Sequence, residues 1–161
     1  MLDGGLLVIT VIAGLGAGLM SGAFYAFSSF VMSGFRRLPP ADGMAAMQAV
    51  NVTAVGPGFM AGFFGTTVLS AAAAVWAIVD WREEASVLVL VGAGLYAAGV
   101  FAMTAAYHVP RNNRLAALDA RTPEGTDYWA VYLREWTRWN HARAVASLLA
   151  AAAFIVAIRL A

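Results

Sequence analysis

The chain has 161 residues, of which 61 % are hydrophobic and only 12 % charged, with a formal net charge of +1. The charged share is about half that of a soluble domain, which excludes an ordinary soluble enzyme. Cysteine is absent, so disulfides, thiol catalysis and iron–sulfur ligation are excluded as well. The small net charge gives no argument for a nucleic-acid partner, and we expect none.

The hydrophobic residues fall into four blocks, and charged residues occur only between or beyond them. A helix needs roughly 20 apolar residues to cross ~30 Å of hydrocarbon. The blocks predict spans at about 5–32, 58–80, 86–108 and 140–160. We therefore predict an all-α fold: an integral membrane four-helix bundle, built as a single domain over 1–161, with short interfacial helices on its cytoplasmic side and the lipid bilayer around it.

The arginines predict the orientation of these spans. Eight of the ten lie between spans one and two, or between span three and the first turn of span four, where Arg143 is the last of them. Because positive residues remain on the cytoplasmic side, we expect loops one and three in the cytoplasm and both termini outside.

The first span carries a ridge of small residues, in which Gly14, Gly18 and Gly22 repeat every four positions. Such a ridge lets another helix approach closely. The neighbour is either a span of the same chain or a second protomer, so the ridge is a candidate surface for a homo-oligomer.

The first loop is long enough for a short helix along the membrane surface. Asp42 follows two prolines and can cap this helix at its N-terminus. One face is apolar and carries Met44, Met47 and Val50. Asn51 then lies at the membrane boundary, where a buried amide must find a partner, so it is either a hinge residue or a residue of the site.

Aromatic and polar residues cluster where spans two and three meet the cytoplasmic side. Span two begins with Phe59, Phe63 and Phe64, which suit either an interfacial belt or the wall of an apolar pocket. Span three ends in a polar segment around a proline, with the side chains of His108, Arg111, Asn112, Asn113 and Arg114. The paired asparagines are unusual there, because helix interiors disfavour Asn.

The chain returns to the membrane through a stretch rich in Trp and Arg, Tyr128–Arg143. Read as a helix at about 100° per residue, it has one polar-aromatic stripe roughly 100° wide. That stripe carries Trp129, Tyr132, Trp136, Trp139, Asn140 and Arg143. Other sides of the same helix carry Arg134, Arg138 and His141.

The two histidines allow several interpretations. His108 ends span three and His141 begins span four, so antiparallel neighbours would bring both to one depth. Together they could ligate haem or another metal, one of them could act as a general base, or both could be plain interfacial residues. The helical wheel places His141 away from the stripe. We therefore expect either His141 or the stripe with Asn140 and Arg143, but not both, to face the His108 region.

Several segments together resemble the anthrone-oxygenase-like family of integral membrane proteins. They read GLMSGAFYAFSSFVM, AMQAVN, GPGFMAGFFGT, FAMTAAYHVPRNNRLA and YLREWTRWNHAR, and they cover nearly the whole chain in order. The more specific parts are an NVPxN-type segment and a WxxWNxxR-type segment. Position 108 is His where the resemblance leads us to expect Asn.

The resemblance implies an oxygenase that converts an anthrone-like or hydroquinone-like aromatic with molecular oxygen. An anthrone anion can reduce oxygen without a metal, given a base and a cation to hold its charge. The cofactor stays unknown, with none, haem or another metal as options, and the metal ligands would be His108 or His141. Candidate catalytic residues are His108, Asn112, Asn140, His141 and Arg143. Candidate substrate-binding residues are Asn51, Phe63, Asn113, Tyr132, Trp136 and Trp139.

Two other functions stay open at this point. One is a haem- or metal-binding membrane protein that uses either histidine. The other is a non-catalytic membrane protein in which Trp and Arg anchor an interface.

Overall fold

Residues 4–160 are described by a computed structural model, and within that range the chain is helical with no strand. Short turns join the helices. In chain order they are α1 (Gly4–Phe35), α2 (Pro40–Ala54), α3 (Pro57–Val79), α4 (Glu83–Ala116) and α5 (Pro123–Leu160).

Four of these helices, α1, α3, α4 and α5, are long and apolar enough to cross a membrane. The predicted all-α membrane bundle is therefore confirmed as a fold class. α1 and α4 each pack against both α3 and α5, so the four long helices form a closed ring.

The long helices approach closely because their facing residues are small. The Ser21 hydroxyl donates to the Ala144 carbonyl at 3.0 Å, and the Ser147 hydroxyl donates to the Ala17 carbonyl at 2.8 Å. We call the buried cluster between the four helices the span core. It runs from Leu6 to Ala157, and more than half of its buried members are alanines.

The glycine ridge of α1 is divided between two surroundings. A side chain at Gly14 would meet Phe154 of α5, so this glycine serves packing within the chain. Side chains at Gly18 and Gly22 would meet nothing within 4 Å. A homo-oligomer through the ridge stays a prediction, and only these last two positions are free for it.

The predicted short helix is present as α2, but its start differs from the prediction. The expected cap, Asp42, lies in the first turn, and the helix begins at Pro40 with Pro39 in the cap position. Proline suits the first helical position, because its φ is already helical and its missing N–H would have no helical partner there.

α5 extends far beyond the predicted span. Its 38 residues make a helix of about 57 Å at 1.5 Å per residue, nearly twice the hydrocarbon thickness. The first half of α5 packs with α2 and the end of α4 in a second buried cluster, which we call the head cluster. It consists of Met32, Met44, Met47, Leu115, Trp129, Tyr132, Leu133 and Trp136.

α2 holds this second layer in place through one polar side chain. The Gln48 amide donates to the carbonyls of Leu115 and Leu118, at 2.8 Å and 3.0 Å. The Leu115 carbonyl lies at the C-terminal end of α4, where helical partners run out, and Leu118 lies in the turn that follows. Gln48 therefore caps α4 and fixes α2 beside it.

Three wide π-helical turns interrupt the long helices near the boundary of the two clusters. One lies in α1 at Phe27–Val31, and two lie in α4 at Ala97–Ala102 and Thr104–His108. Such turns redirect the side chains that follow them and are frequent at functional sites.

Candidate functional site

A cavity of about 360 Å³ lies between the span core and the head cluster. All five helices contribute to its wall. Its lining side chains include Phe24, Phe27, Asn51, Phe59, Thr104, His108, Asn112, Trp136, Asn140 and Arg143. The volume is at the lower end of the ~300–1,000 Å³ of small-molecule pockets.

Arg143 is the charged group of this cavity, and its side chain is only 6 % exposed. It donates from Nη2 to Asn140 Oδ1 and, at 3.1 Å, from Nη1 to Thr104 Oγ1. Its Nε atom is buried without a hydrogen-bond partner in the described structure. No carboxylate within residues 4–160 forms an ion pair with it. A buried cation with neutral partners alone is costly, so it favours an anionic or strongly polarised oxygen beside it.

Asn140 fixes the position of that guanidinium group. Its amide nitrogen donates to the Phe24 carbonyl and to Ser28 Oγ of α1, both at 2.7 Å. The side-chain oxygen therefore points to Arg143, 2.6 Å from Nη2. The bonds to α1 lie where that helix enters its π turn. Asn140 thus joins α1 to α5 and holds the arginine in one orientation.

His108 lies in the same wall, fully buried, at the end of the second π turn of α4. Its Nδ1 lies 3.3 Å from the Met103 carbonyl. Because a carbonyl only accepts, we assign the proton of the neutral ring to Nδ1, which leaves a lone pair on Nε2. The Nε2 atom is buried and forms no hydrogen bond within the described residues.

The indole of Trp136 contacts both His108 and Arg143. The His108 ring meets it edge-on at 5.3 Å between centroids, and the Arg143 guanidinium carbon lies 5.3 Å from its centroid. On the other side Arg143 lies 4.4 Å from the Phe24 ring. Guanidinium groups stack favourably on aromatic faces, so these rings hold Arg143 without neutralising it.

Asn112 orients Trp136 from α4. Its side-chain oxygen accepts hydrogen bonds from the Tyr132 hydroxyl at 2.7 Å and from Trp136 Nε1 at 3.0 Å. Asn51 of α2 lies beside the same Tyr132 hydroxyl, while its Nδ2 atom forms no hydrogen bond of good geometry within the described residues. Tyr132 therefore supports the cavity from behind and does not line it.

Besides Tyr132, four further predicted site residues do not line the cavity. Phe63 is buried one turn behind Phe59, on which it stacks at 6.4 Å. Asn113 and His141 are exposed on other faces of their helices. Trp139 is exposed and packs on Tyr107 at 4.8 Å. The six that line the cavity are Asn51, His108, Asn112, Trp136, Asn140 and Arg143.

The sequence interpretation missed the contribution of α1 and one partner of Arg143. Phe24 and Phe27 form an aromatic wall, and Thr104 accepts a hydrogen bond from the guanidinium. Thr104 could have been found, because it lies one turn before His108 on the same face. The contact of Phe24 could not, since it depends on how α1 meets α5.

The two histidines lie in different surroundings, since His108 is buried in the cavity wall and His141 is exposed. Within the described part of the chain no three His, Cys, Asp or Glu side chains group to hold a metal ion. His108 also shares its cavity with the positive Arg143, which would repel a metal cation. Haem ligation by either histidine stays a prediction.

The sequence model of the anthrone oxygenase family matches residues 59–153. This range covers α3, α4 and most of α5, and it includes His108, Asn112, Asn140 and Arg143. No curated protein and no solved structure matches the chain. Since the match extends over more than half of the chain, the protein belongs to the anthrone oxygenase family.

Proposed function

We propose that this protein is a small membrane oxygenase that oxidises an anthrone- or hydroquinone-like aromatic with molecular oxygen. The observation that carries the proposal is Arg143, a buried cation without a carboxylate partner among residues 4–160, in one cavity with the lone pair of His108. Membership of the family supports the same chemistry.

The reaction begins with a proton transfer. A ring methylene next to two aromatic rings and opposite a ketone is a carbon acid, and His108 Nε2 takes one of its protons. The ketone oxygen then becomes an enolate oxygen, which Arg143 Nε is free to bind. A cation fixed in a dry cavity stabilises such an oxyanion more than water does, because it needs no reorganisation.

Oxygen is the oxidant in the second step. The carbanion carbon forms a bond to O₂, and the resulting peroxide anion takes a proton to become a hydroperoxide. Loss of water from this hydroperoxide, with the second methylene hydrogen, leaves a carbonyl. In total the methylene and one O₂ give one C=O and one H₂O, so atoms and electrons balance.

The aromatic wall determines how the substrate lies. Phe24 and Trp136 flank Arg143, and Phe27 and Phe59 complete flat apolar faces around the cavity. A planar ring system can stack on these faces with its oxygen toward the guanidinium. Asn140 and Asn112 act as positioning residues, because they hold Arg143 and Trp136 in place.

Anthrone oxidation by the purified protein in lipid nanodiscs tests this proposal. We expect oxygen uptake and quinone absorbance, with kcat reduced on the order of 100-fold in Arg143→Met and in His108→Phe. Arg138→Met and His141→Phe are matched controls on exposed faces of α5, and both should retain activity. All four variants should keep the wild-type unfolding profile.

Two results would contradict the proposal. One is the absence of turnover with any anthrone or hydroquinone tried. The other is equal activity in the cavity variants and their controls. A Soret band that disappears in His108→Phe would instead favour the haem-binding alternative.

The orientation in the membrane belongs to the proposal as well. The head cluster and the cavity lie at the end of the bundle where most arginines lie, so we place them on the cytoplasmic side, with both termini outside. Labelling of an Arg121→Cys variant in intact cells, compared with permeabilised cells, tests this placement.

A further inference from the structure

The cavity has one edge where its lining residues are exposed. Val55, in the turn between α2 and α3, is 71 % exposed, and Val109 of α4 is 44 % exposed. Thr53, near the end of α2, also lines the cavity and is exposed. The other lining residues are buried or partly buried, so these three residues mark the mouth of the cavity.

The mouth lies between the start of α3 and the last part of α4. Further along the bundle, aromatic contacts close the gap between these two helices. Phe101 of α4 packs on Phe63 of α3 at 5.9 Å and on Phe64 at 6.2 Å, measured between ring centroids. Phe59 and Met60, before that seal, line the cavity together with His108 and Val109. The opening is therefore lateral, in the side of the bundle.

The chemistry of the mouth is apolar. Among the lining residues, Arg143 and His108 are the ionisable side chains, and both lie inside. The rim consists of valines and a threonine, and the neighbouring Val52 is 75 % exposed. Exposed valines around an opening are unfavourable against water and favourable against hydrocarbon. The lipid phase is the surrounding that fits this rim.

We propose that this mouth opens into the bilayer and admits an uncharged aromatic substrate that is dissolved in the lipid. The substrate is a weak acid, and it loses its proton only after it reaches Arg143. The ionisation step rests on the oxygenase function proposed above, whereas the lateral opening does not. The mouth favours the uncharged form of the substrate, because an anion would lose its hydration at a rim that offers no compensating charge. The neutral quinone product returns by the same route.

Spin labelling tests the mouth without any need for turnover. The chain has no cysteine, so Val55→Cys and Val109→Cys each carry a single nitroxide. Collision rates are measured in nanodiscs with O₂, which concentrates in lipid, and with a water-soluble nickel chelate. The controls are Val75→Cys on the outer face of α3 and Arg121→Cys in the turn after α4.

We expect the ratio of O₂ to nickel collisions at Val55 and Val109 to equal that at Val75 and to exceed that at Arg121. A ratio equal to that at Arg121 would show a mouth open to water and would overturn the proposal. Neither result depends on catalysis, so failure of the oxygenase assignment would leave this test readable.

A substrate pair tests the charge selection. The KM for anthrone loaded into the lipid should be at least about tenfold lower than the KM for an anthrone that carries a carboxylate on its outer ring. Val55→Trp should raise the KM for anthrone and leave kcat unchanged, with Val75→Trp as the matched control. Equal KM values for the neutral and charged compounds would overturn the selection for a neutral acid.

Discussion

The span core and the head cluster are built from opposite kinds of residue. The span core is mostly alanine, with serines that hydrogen-bond across helices, whereas the head cluster is Met, Trp, Tyr and Leu. Lipid tails are as apolar as any side chain, so helices in a membrane associate through close packing of small residues. Beyond the hydrocarbon, burial of large side chains drives association. A change of surroundings from hydrocarbon to the membrane boundary would produce this difference.

The cavity lies where these two kinds of packing meet. Small residues cannot enclose a flat ligand, and a fully packed aromatic cluster leaves no space for one. At the boundary Trp136 belongs to the head cluster, while Phe24 belongs to the span core. Arg143 lies between them, held by both rings.

The largest effect is expected from truncation in the head cluster. Trp129→Ala removes a buried indole that stacks on Tyr132 at 5.7 Å, and it should lower the free energy of unfolding by about 3–5 kcal/mol. Trp139→Ala, on the same helix but exposed, should cost much less. Denaturation in mixed micelles measures both. Equal losses would argue against a hydrophobic origin of the head cluster.

The next effect is expected from a larger side chain in the span core. A Cβ atom at Gly99 would collide with Ala146 of α5, so Gly99→Val should force α4 and α5 apart at a cost of about 1–3 kcal/mol. Gly94→Val is the matched control, because a Cβ atom there meets nothing within 4 Å. The same micelle titration compares them. Equal stability of the two variants would contradict close packing of α4 on α5.

A smaller effect is expected from the polar contact between the head cluster and the cavity wall. Tyr132→Phe removes the hydroxyl that Asn112 accepts at 2.7 Å, and it should cost about 1 kcal/mol. Because Asn112 keeps its bond from Trp136 Nε1, the cavity should persist. Tyr25→Phe on the exposed face of α1 is the control and should be neutral. If Tyr132→Phe left the free energy of unfolding unchanged, the Tyr132 hydroxyl would not stabilise the cavity wall.

The smallest effect is expected from a single hydrogen bond within the span core. Ser147→Ala removes the bond to the Ala17 carbonyl and should cost roughly 0.6 kcal/mol, the average for such bonds in membranes. Ser29→Ala is the control, because Ser29 bonds to Tyr25 of its own helix. A loss several times larger in Ser147→Ala would mean that polar bonds, more than small-residue packing, hold the spans together.

Much of the fold could be predicted because its signals are local. Apolar length identified the four long helices, and the apolar face of α2 was visible from Met44, Met47 and Val50. The lengths of the helices were less accessible. Hydropathy placed span four at about 140–160 and helical periodicity indicated a helix over Tyr128–Arg143 before it, whereas α5 begins at Pro123.

The candidate site could be predicted in part, for a similar reason. The stripe on α5 correctly grouped Trp136, Asn140 and Arg143, since helical periodicity decides which residues share a face. Trp139 was placed on that stripe, but it lies at the stripe's edge and is exposed. The π turns in α1 and α4 were not predicted, because they depend on packing between helices.

The sequence by itself determined that this is a four-span helical membrane protein and that its unusual polar residues lie at one end. Hydropathy, helical period and charge position are properties of short stretches, and they hold in any packing. Only the tertiary structure decided that His108, and not His141, shares a cavity with Arg143, and that this arginine has no carboxylate beside it in the described chain. The cavity also joins α5 to α1, where Asn140 bonds to a carbonyl 116 residues away in the chain, and no local pattern carries information over that separation.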